Sequence, residues 1–271
     1  GIEKAGRYTE ISVERGWTSA KDYIGYYNPL TGQLEQSNSE VFQAFKTLDS
    51  EAKTNQTPTA PYIILLDEAN LSPIEHYWAN FLRICDEDSC QKRAINLGGT
   101  YTLQIPQCLH FLATVNFDQT TEELSPRFLD RSWIILLNPT KITFEDNNLL
   151  IDNPQKTISW ELLSQLFNHP TDTSEDDIIT QKWKALCEIY DNNRIPISPR
   201  DTKMIRKYCS VANIYMEKES SNTRYAPLDF AVAQKLLPLI NGTSSRYKQL
   251  VENLYDFCGD SFPICTDILE R

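Results

Sequence analysis

The chain has no GxxxxGK[ST] stretch, no CxxC pair, only three histidines and no excess of positive charge. Its longest apolar runs stop far short of the roughly 20 residues that span a bilayer as a helix, so no membrane partner is expected. No opening segment has the basic-then-apolar plan of an export signal, and the expected compartment is the cytoplasm. A net charge of −11 argues against a broad electrostatic footprint for nucleic acid. It leaves open a local basic groove, or DNA contact through another domain. The seven cysteines are Cys85, Cys90, Cys108, Cys187, Cys209, Cys258 and Cys265. An odd number without paired spacing supports neither a disulfide framework nor a zinc site, and reduced, mostly buried thiols are expected. His76, His110 and His169 are scattered, and no metal-ligand spacing connects them.

What is present is ordinary for a soluble globular protein: 271 residues, 41% hydrophobic and 23% charged, enough for one large or two modest domains. Residues 8–14 alternate as a strand does. Residues 16–34, rich in Gly, Pro and aromatics, read as a structured loop. Val41, Phe42, Phe45 and Leu48 recur at helical spacing over 39–53. Residues 61–66, PYIILL, form a continuous apolar run of strand length, the pattern of a parallel strand covered on both faces. LSPIEHYWANFLRICDE, 71–87, predicts one helix with Ser72 as N-cap and Pro73 in the first turn. Residues 93–105 predict a hairpin turning at Gly98–Gly99. CLHFLATVN, 108–116, and SWIILLN, 132–138, predict two further apolar strands, with SPRFLDR between them as a short helical turn. After Pro139 only helical patterns follow, at 159–168, 175–192, 199–217, 226–240 and 244–257. The expected organisation is an α/β domain over 1–139 and an all-helical domain over 140–271. The acid-rich stretch 171–179 reads as a solvated loop and helix start.

The polar residues cluster at the ends of the predicted strands, where ligands bind in open parallel sheets. One strand delivers Asp67 and Glu68, the next delivers Asn116, and Arg127 and Arg131 precede the third. Phosphoryl transfer uses these types: a carboxylate to hold Mg²⁺, a second group to activate water, a polar group near the γ-phosphate, and an arginine against developing charge. The plainer alternative for each is a solvated turn carboxylate, a capping Asn, or an arginine paired with a surface acid such as Asp130. Their order along the chain favours a nucleotide site.

Those residues carry a family resemblance. IILLDEAN resembles the Walker B strand of AAA+ ATPases and ATVN resembles sensor 1. LSPRFLDR resembles the segment that holds the family's arginine finger, and ISPRDTKMI, 197–205, resembles the sensor 2 helix of the lid. More narrowly, WTSAKDYIGYYNP, DEANLSPIEHYWANFL and TVNFDQTTEELSPRFLDR resemble the McrB-type branch of motor subunits from modification-dependent restriction systems. The MoxR-type AAA+ chaperones share sensor 1, the hairpin and the SPR signature. The resemblance is strong over 8–138 and thin beyond Arg200.

The resemblance implies a three-layer α/β AAA+ P-loop NTPase core followed by a helical lid. It implies Mg²⁺ and ATP or GTP as cofactors, with Asp67 in the Mg²⁺ shell and Glu68 as general base. Asn116 would orient the attacking water or sense the γ-phosphate. Arg131 would act in trans, with Arg127 as a second such residue or a flanking one, and Arg200 would act in cis. Implied partners are further copies in a ring of hexameric type and an McrC-like nuclease subunit. A MoxR-type chaperone and a non-hydrolysing scaffold are the alternatives.

Two departures qualify this. Gly1 and Gly6 have P-loop glycine spacing, but Arg7 and Tyr8 stand where Lys and Ser/Thr are needed. The expectation is a segment of a longer protein that starts after the P-loop, with weak or no nucleotide binding by itself. In the branch's MNxxD signature Val115 replaces Met, Asp118 stands two residues after Asn116, and Gln119 takes the third place. A GTP preference is therefore not implied.

Overall fold

A computed structural model describes residues 6–54, 60–85, 93–117, 121–137, 158–167, 178–216, 224–240 and 244–270. Residues 55–59 of the polar, Pro-bearing stretch TNQTPTAP (54–61), most of the acid-rich stretch, and Asp118 and Gln119 lie outside the described residues. The chain is mixed α/β and falls into two compact units. One comprises Gly1–Arg131 with Lys141–Gln165, the other Ser132–Thr140 with Leu166–Arg271. No described helix is long and apolar enough to cross a membrane.

The first unit begins with β1 (Tyr8–Ser12), α1 (Ala20–Tyr23) and the hairpin β2 (Gly25–Asn28) and β3 (Gln33–Gln36). It continues through α2 (Ser39–Thr54), β4 (Tyr62–Asp67), α3 (Ile74–Tyr77) and α4 (Ala79–Ile84). A second hairpin, β5 (Ala94–Gly98) and β6 (Tyr101–Gln104), leads to β7 (Leu109–Ala113) and α5 (Pro126–Leu129). Strands β1, β4 and β7 form a parallel sheet with β4 central. The register places Thr9, Ile64 and Phe111 in one row and Ile11 beside Leu66. Tyr62, Ile64 and Leu66 are buried, whereas Ile63 and Leu65 are only partly covered and Leu112 is 54% exposed. The apolar run at 61–66 led us to expect cover on both faces; the structure buries one face fully. On the other face Trp160 reaches His110, 5.3 Å between ring centroids.

An aromatic cluster builds the covered face. Phe81 lies 5.2 Å from Phe111, 5.5 Å from Tyr23 and 5.5 Å from Phe45, so α1, α2, α4 and β7 share one ring-packed core. Burying a ring fully contributes about 1.5–3 kcal/mol, and the edge-to-face pairs of Phe81 with Tyr23 and Phe111 add about 0.5–1.5 kcal/mol each.

The single helix expected over 71–87 is broken. Residues Ala69–Leu71 form a 3₁₀ turn, and Trp78 (φ −107°, ψ 5°) separates α3 from α4. Ser72 is not an N-cap. Its buried hydroxyl donates to the Glu14 carbonyl at 2.8 Å and accepts from the Gly16 and Trp17 amides at 2.9 and 3.1 Å. Pro73, expected in the first turn, itself stands at the N-cap (φ −57°, ψ 107°) before α3 starts at Ile74, and the Ser72 hydroxyl instead tethers the chain after β1.

The segment read as a loop at 16–34 contains α1 and most of the β2–β3 hairpin. Gly25 makes that hairpin possible: its φ is +129°, and an added Cβ would lie 2.1 Å from the Glu35 carbonyl oxygen. Gly25→Ala is expected to lower stability by about 2 kcal/mol or more, read as a fall in the urea midpoint. The two hairpins pack on each other. The Tyr27 ring covers Gly99, where a Cβ would come within 2.7 Å of it, and lies 5.3 Å from Tyr101.

The strand expected at 132–138 is absent from the described residues 132–137, which are irregular. A strand needs a hydrogen-bonding neighbour, and this segment instead runs along helices. These are α7 (Ile178–Asn192), α8 (Pro199–Tyr215), α9 (Ala226–Lys235), α10 (Ser245–Cys258) and α11 (Pro263–Leu269) of the second unit, preceded in the chain by α6 (Trp160–Phe167). Ile134 N–H donates to the Gln234 carbonyl at 2.9 Å, and Trp133 stacks on Tyr208 at 4.9 Å. Ile135, Leu136 and Leu137 are 68%, 46% and 84% exposed. The helices close over Trp183, Leu186, Ile205, Leu228, Leu254 and Phe262. Helix α11 was not foreseen. The buried Asp229 carboxylate accepts from the Ile264 and Cys265 amides at 3.0 and 2.9 Å, supplying its N-terminal cap from another helix.

Candidate functional site

Strand β4 ends in Asp67 and breaks immediately. Glu68 adopts the left-handed conformation (φ 52°, ψ 46°), costly for a residue with a side chain. Three local bonds hold the turn. Glu68 N–H donates to Thr114 Oγ1 at 2.8 Å, Ala69 N–H donates to the Thr114 carbonyl at 2.8 Å, and Leu71 N–H donates to the Glu68 carbonyl at 3.0 Å. The consequence is geometric. Consecutive residues of a straight strand point to opposite faces, and the turn at Glu68 takes its side chain out of that alternation. Asp67 is half-buried and Glu68 exposed.

Thr114 follows β7 directly. Its hydroxyl accepts from Glu68 N–H and donates to Asp67 Oδ1 at 2.7 Å. Two residues on, Asn116 is tied through its backbone to Asn70, which is 3% exposed. Asn70 Nδ2 donates to the carbonyls of Asn116 (2.8 Å) and Glu122 (3.1 Å), and Asn70 Oδ1 accepts from Asn116 N–H (3.1 Å). Glu122 N–H donates to the Asn70 carbonyl at 2.9 Å. Asn70 thus staples the β4 turn to the loop after β7 and presents Asn116 at the surface. Tyr77 adds a brace: its buried hydroxyl donates to the Ala69 carbonyl at 2.7 Å, and burial holds its phenol well above the ordinary range, so it stays a donor.

The structure therefore brings Asp67, Glu68 and the Asn116 backbone together at one end of the sheet. Arg127 and Arg131 lie on and just after α5, which Ser125 caps by accepting from Phe128 N–H. Arg127 is exposed. Arg131 is not: its side chain is 15% exposed, its Nε donates to the Leu82 carbonyl at 3.2 Å, and its Nη1 donates to the Arg127 carbonyl at 3.1 Å. Asp130 is 3.6 Å away. Arg200 stands in the first turn of α8, in the second unit, behind a Ser198 cap that accepts from Asp201 N–H at 3.0 Å.

Among the described residues no group of three or more His, Cys, Asp or Glu side chains could hold a metal by itself. The donor set is a single strand-end carboxylate with a second beside it. That fits Mg²⁺, which keeps several waters and shares one or two carboxylates with substrate phosphates. Asp67 Oδ2 would hold it, since Oδ1 is engaged by Thr114. Sequence reasoning missed Thr114 and Asn70 and gave Ser72 the wrong partner. Thr114 and Asn70 lie beside the residues singled out, and their signal was proximity alone.

A family model described as a domain of unknown function (DUF8727) matches residues 157–271, the helical part of the chain. No curated protein matches the chain.

Proposed function

We propose that this chain is the Walker B and sensor 1 part of an AAA+ nucleoside triphosphatase with its helical lid, from a ring-forming motor of the McrB-like kind. The observation that carries the proposal is the joint built by Asp67, Glu68, Thr114 and Asn116 across two adjacent parallel strands. Asp67 holds one oxygen toward a cation, and Glu68, turned out of the strand, serves as general base toward water. Asn116, in the loop after β7 at the same end of the sheet, orients that water or senses the γ-phosphate. Bound Mg²⁺ would neutralise charge on the β- and γ-phosphates of ATP or GTP. The exposed Arg127 is the better candidate for a finger acting on a neighbouring copy, and Arg131, held by carbonyls, buttresses it. The cis role of Arg200 rests on the resemblance alone. Restriction or another defence system, with an McrC-like nuclease and DNA contacted by other domains, is the setting this resemblance supports.

One observation favours a second reading, a scaffold that does not hydrolyse nucleotide. The sequence has no GxxxxGK[ST] backbone cradle for phosphates. The deciding experiment assays ATP and GTP hydrolysis by this sequence alone and by the same sequence joined behind a strand–GxxxxGK[ST]–helix segment. The sequence alone is expected to turn over nothing and to bind either nucleotide with a Kd above about 1 mM, weaker than about −4 kcal/mol. The joined form is expected to hydrolyse. Micromolar affinity of the sequence alone would refute the first expectation, and an inert joined form that binds nucleotide would favour the scaffold.

A further inference from the structure

We propose that Thr114 is a positioning residue that sets both carboxylates of the site through one hydroxyl, and that metal affinity at Asp67 depends on it. The inference rests on the nucleotide-site reading and gives Thr114 a role in metal affinity that the reading leaves unassigned. The Glu68 N–H can only donate, so Thr114 Oγ1 accepts there at 2.8 Å. The hydroxyl hydrogen is thereby directed to Asp67 Oδ1, 2.7 Å away. The first bond helps hold Glu68 at φ 52°, where its side chain leaves the strand alternation. The second fixes the Asp67 rotamer and occupies one oxygen, leaving Oδ2 as the cation-facing one. Thr114 is itself fixed by its main chain, which donates to the Leu66 carbonyl at 2.9 Å and accepts from Ala69 N–H at 2.8 Å. Its position therefore survives loss of the hydroxyl, and the hydroxyl can be tested separately. Partners that orient a ligating carboxylate change metal affinity by about 10–100-fold when removed.

The probe is Mn²⁺, followed by paramagnetic broadening of backbone amide signals in the whole chain. Broadening centred on Leu66–Ala69 is expected, and Asp67→Asn is expected to abolish it. Thr114→Val, which keeps the shape and removes the hydroxyl, is expected to raise the Mn²⁺ Kd about tenfold. Thr114→Ser, which restores the hydroxyl, is expected to stay within about twofold of the parent. A purely structural Thr114 would lower the unfolding midpoint in Thr114→Val and leave Mn²⁺ affinity unchanged, which overturns the proposal. If Thr114→Val loses cooperative unfolding, Thr114→Ala carries the same expectation without crowding. The two levels separate. Broadening that is absent or that persists in Asp67→Asn overturns the metal reading of Asp67 and the proposal with it. Broadening that needs Asp67 and ignores Thr114 overturns the Thr114 proposal alone.

Discussion

Glu68→Gln, in a form that hydrolyses nucleotide, is expected to lower kcat by about 10²–10⁴-fold with little change in KM, the range for losing a positioned general base. The substitution keeps the size and flexibility of the side chain. It leaves untouched the three bonds that hold the turn, from Glu68 N–H to the Thr114 hydroxyl, from Ala69 N–H to the Thr114 carbonyl and from Leu71 N–H to the Glu68 carbonyl. Asp67 keeps its partner, so nucleotide and metal binding should persist. A companion substitution separates chemistry from strain. Glu68→Gly also removes the base, and it relieves the φ 52° conformation that a side chain resists. It should therefore abolish turnover while raising stability by up to about 1 kcal/mol. A variant that is more stable and inactive is what a strained functional residue predicts. Full turnover in Glu68→Gln would remove Glu68 from the chemistry.

The parts of this fold that could be read from sequence are those where local pattern and tertiary demand agree. PYIILL reads as a strand by pattern and its Tyr62–Leu66 lie in β4, and Asp67 stands where the apolar run ends because the strand ends there. Ser125-Pro126 and Ser198-Pro199 stand at helix starts that the pattern predicts, and each Ser caps its helix. Ser72-Pro73 carries the same signal and means something else, because loop amides at Gly16 and Trp17 compete for the hydroxyl. No local rule ranks those partners. Thr114 and Asn70 fail for a related reason. Their roles depend on the β4–β7 register, which puts Leu66 beside Ala113 and is a long-range fact. SWIILL fails more simply: strand propensity is the capacity to pair, and no described strand pairs with it. Its neighbours are α8 and α9.

The same segment carries the other large expected effect. Lys235→Ala is expected to destabilise the helical unit by about 3–5 kcal/mol, the cost of breaking a buried ion pair from one side. Lys235 lies at the end of α9 with its side chain 0% exposed, and its Nζ is 3.3 Å from Asp201 Oδ1. Asp201 is 2% exposed, and its other oxygen accepts from Ser198 Oγ at 2.7 Å. Removing the ammonium leaves a buried carboxylate with only that hydroxyl to compensate it. The double variant Lys235→Met with Asp201→Asn removes both charges together. It should recover at least about 2 kcal/mol relative to the sum of the single changes in urea unfolding. It should not recover everything, because Lys235 Nζ also donates to the Ser132 carbonyl at 3.0 Å. That bond, with Ile134 N–H on Gln234 and Trp133 on Tyr208, binds the segment after Arg131 to α8 and α9. Methionine cannot replace it, so amide exchange at Ile134 should stay fast in the double variant even where global stability returns. If Ile134 protection returned in step with stability, Lys235 would matter only as a charge. If it did not, Lys235 would be the clamp that ties the start of α8, where Arg200 stands, to the peptide that follows Arg131.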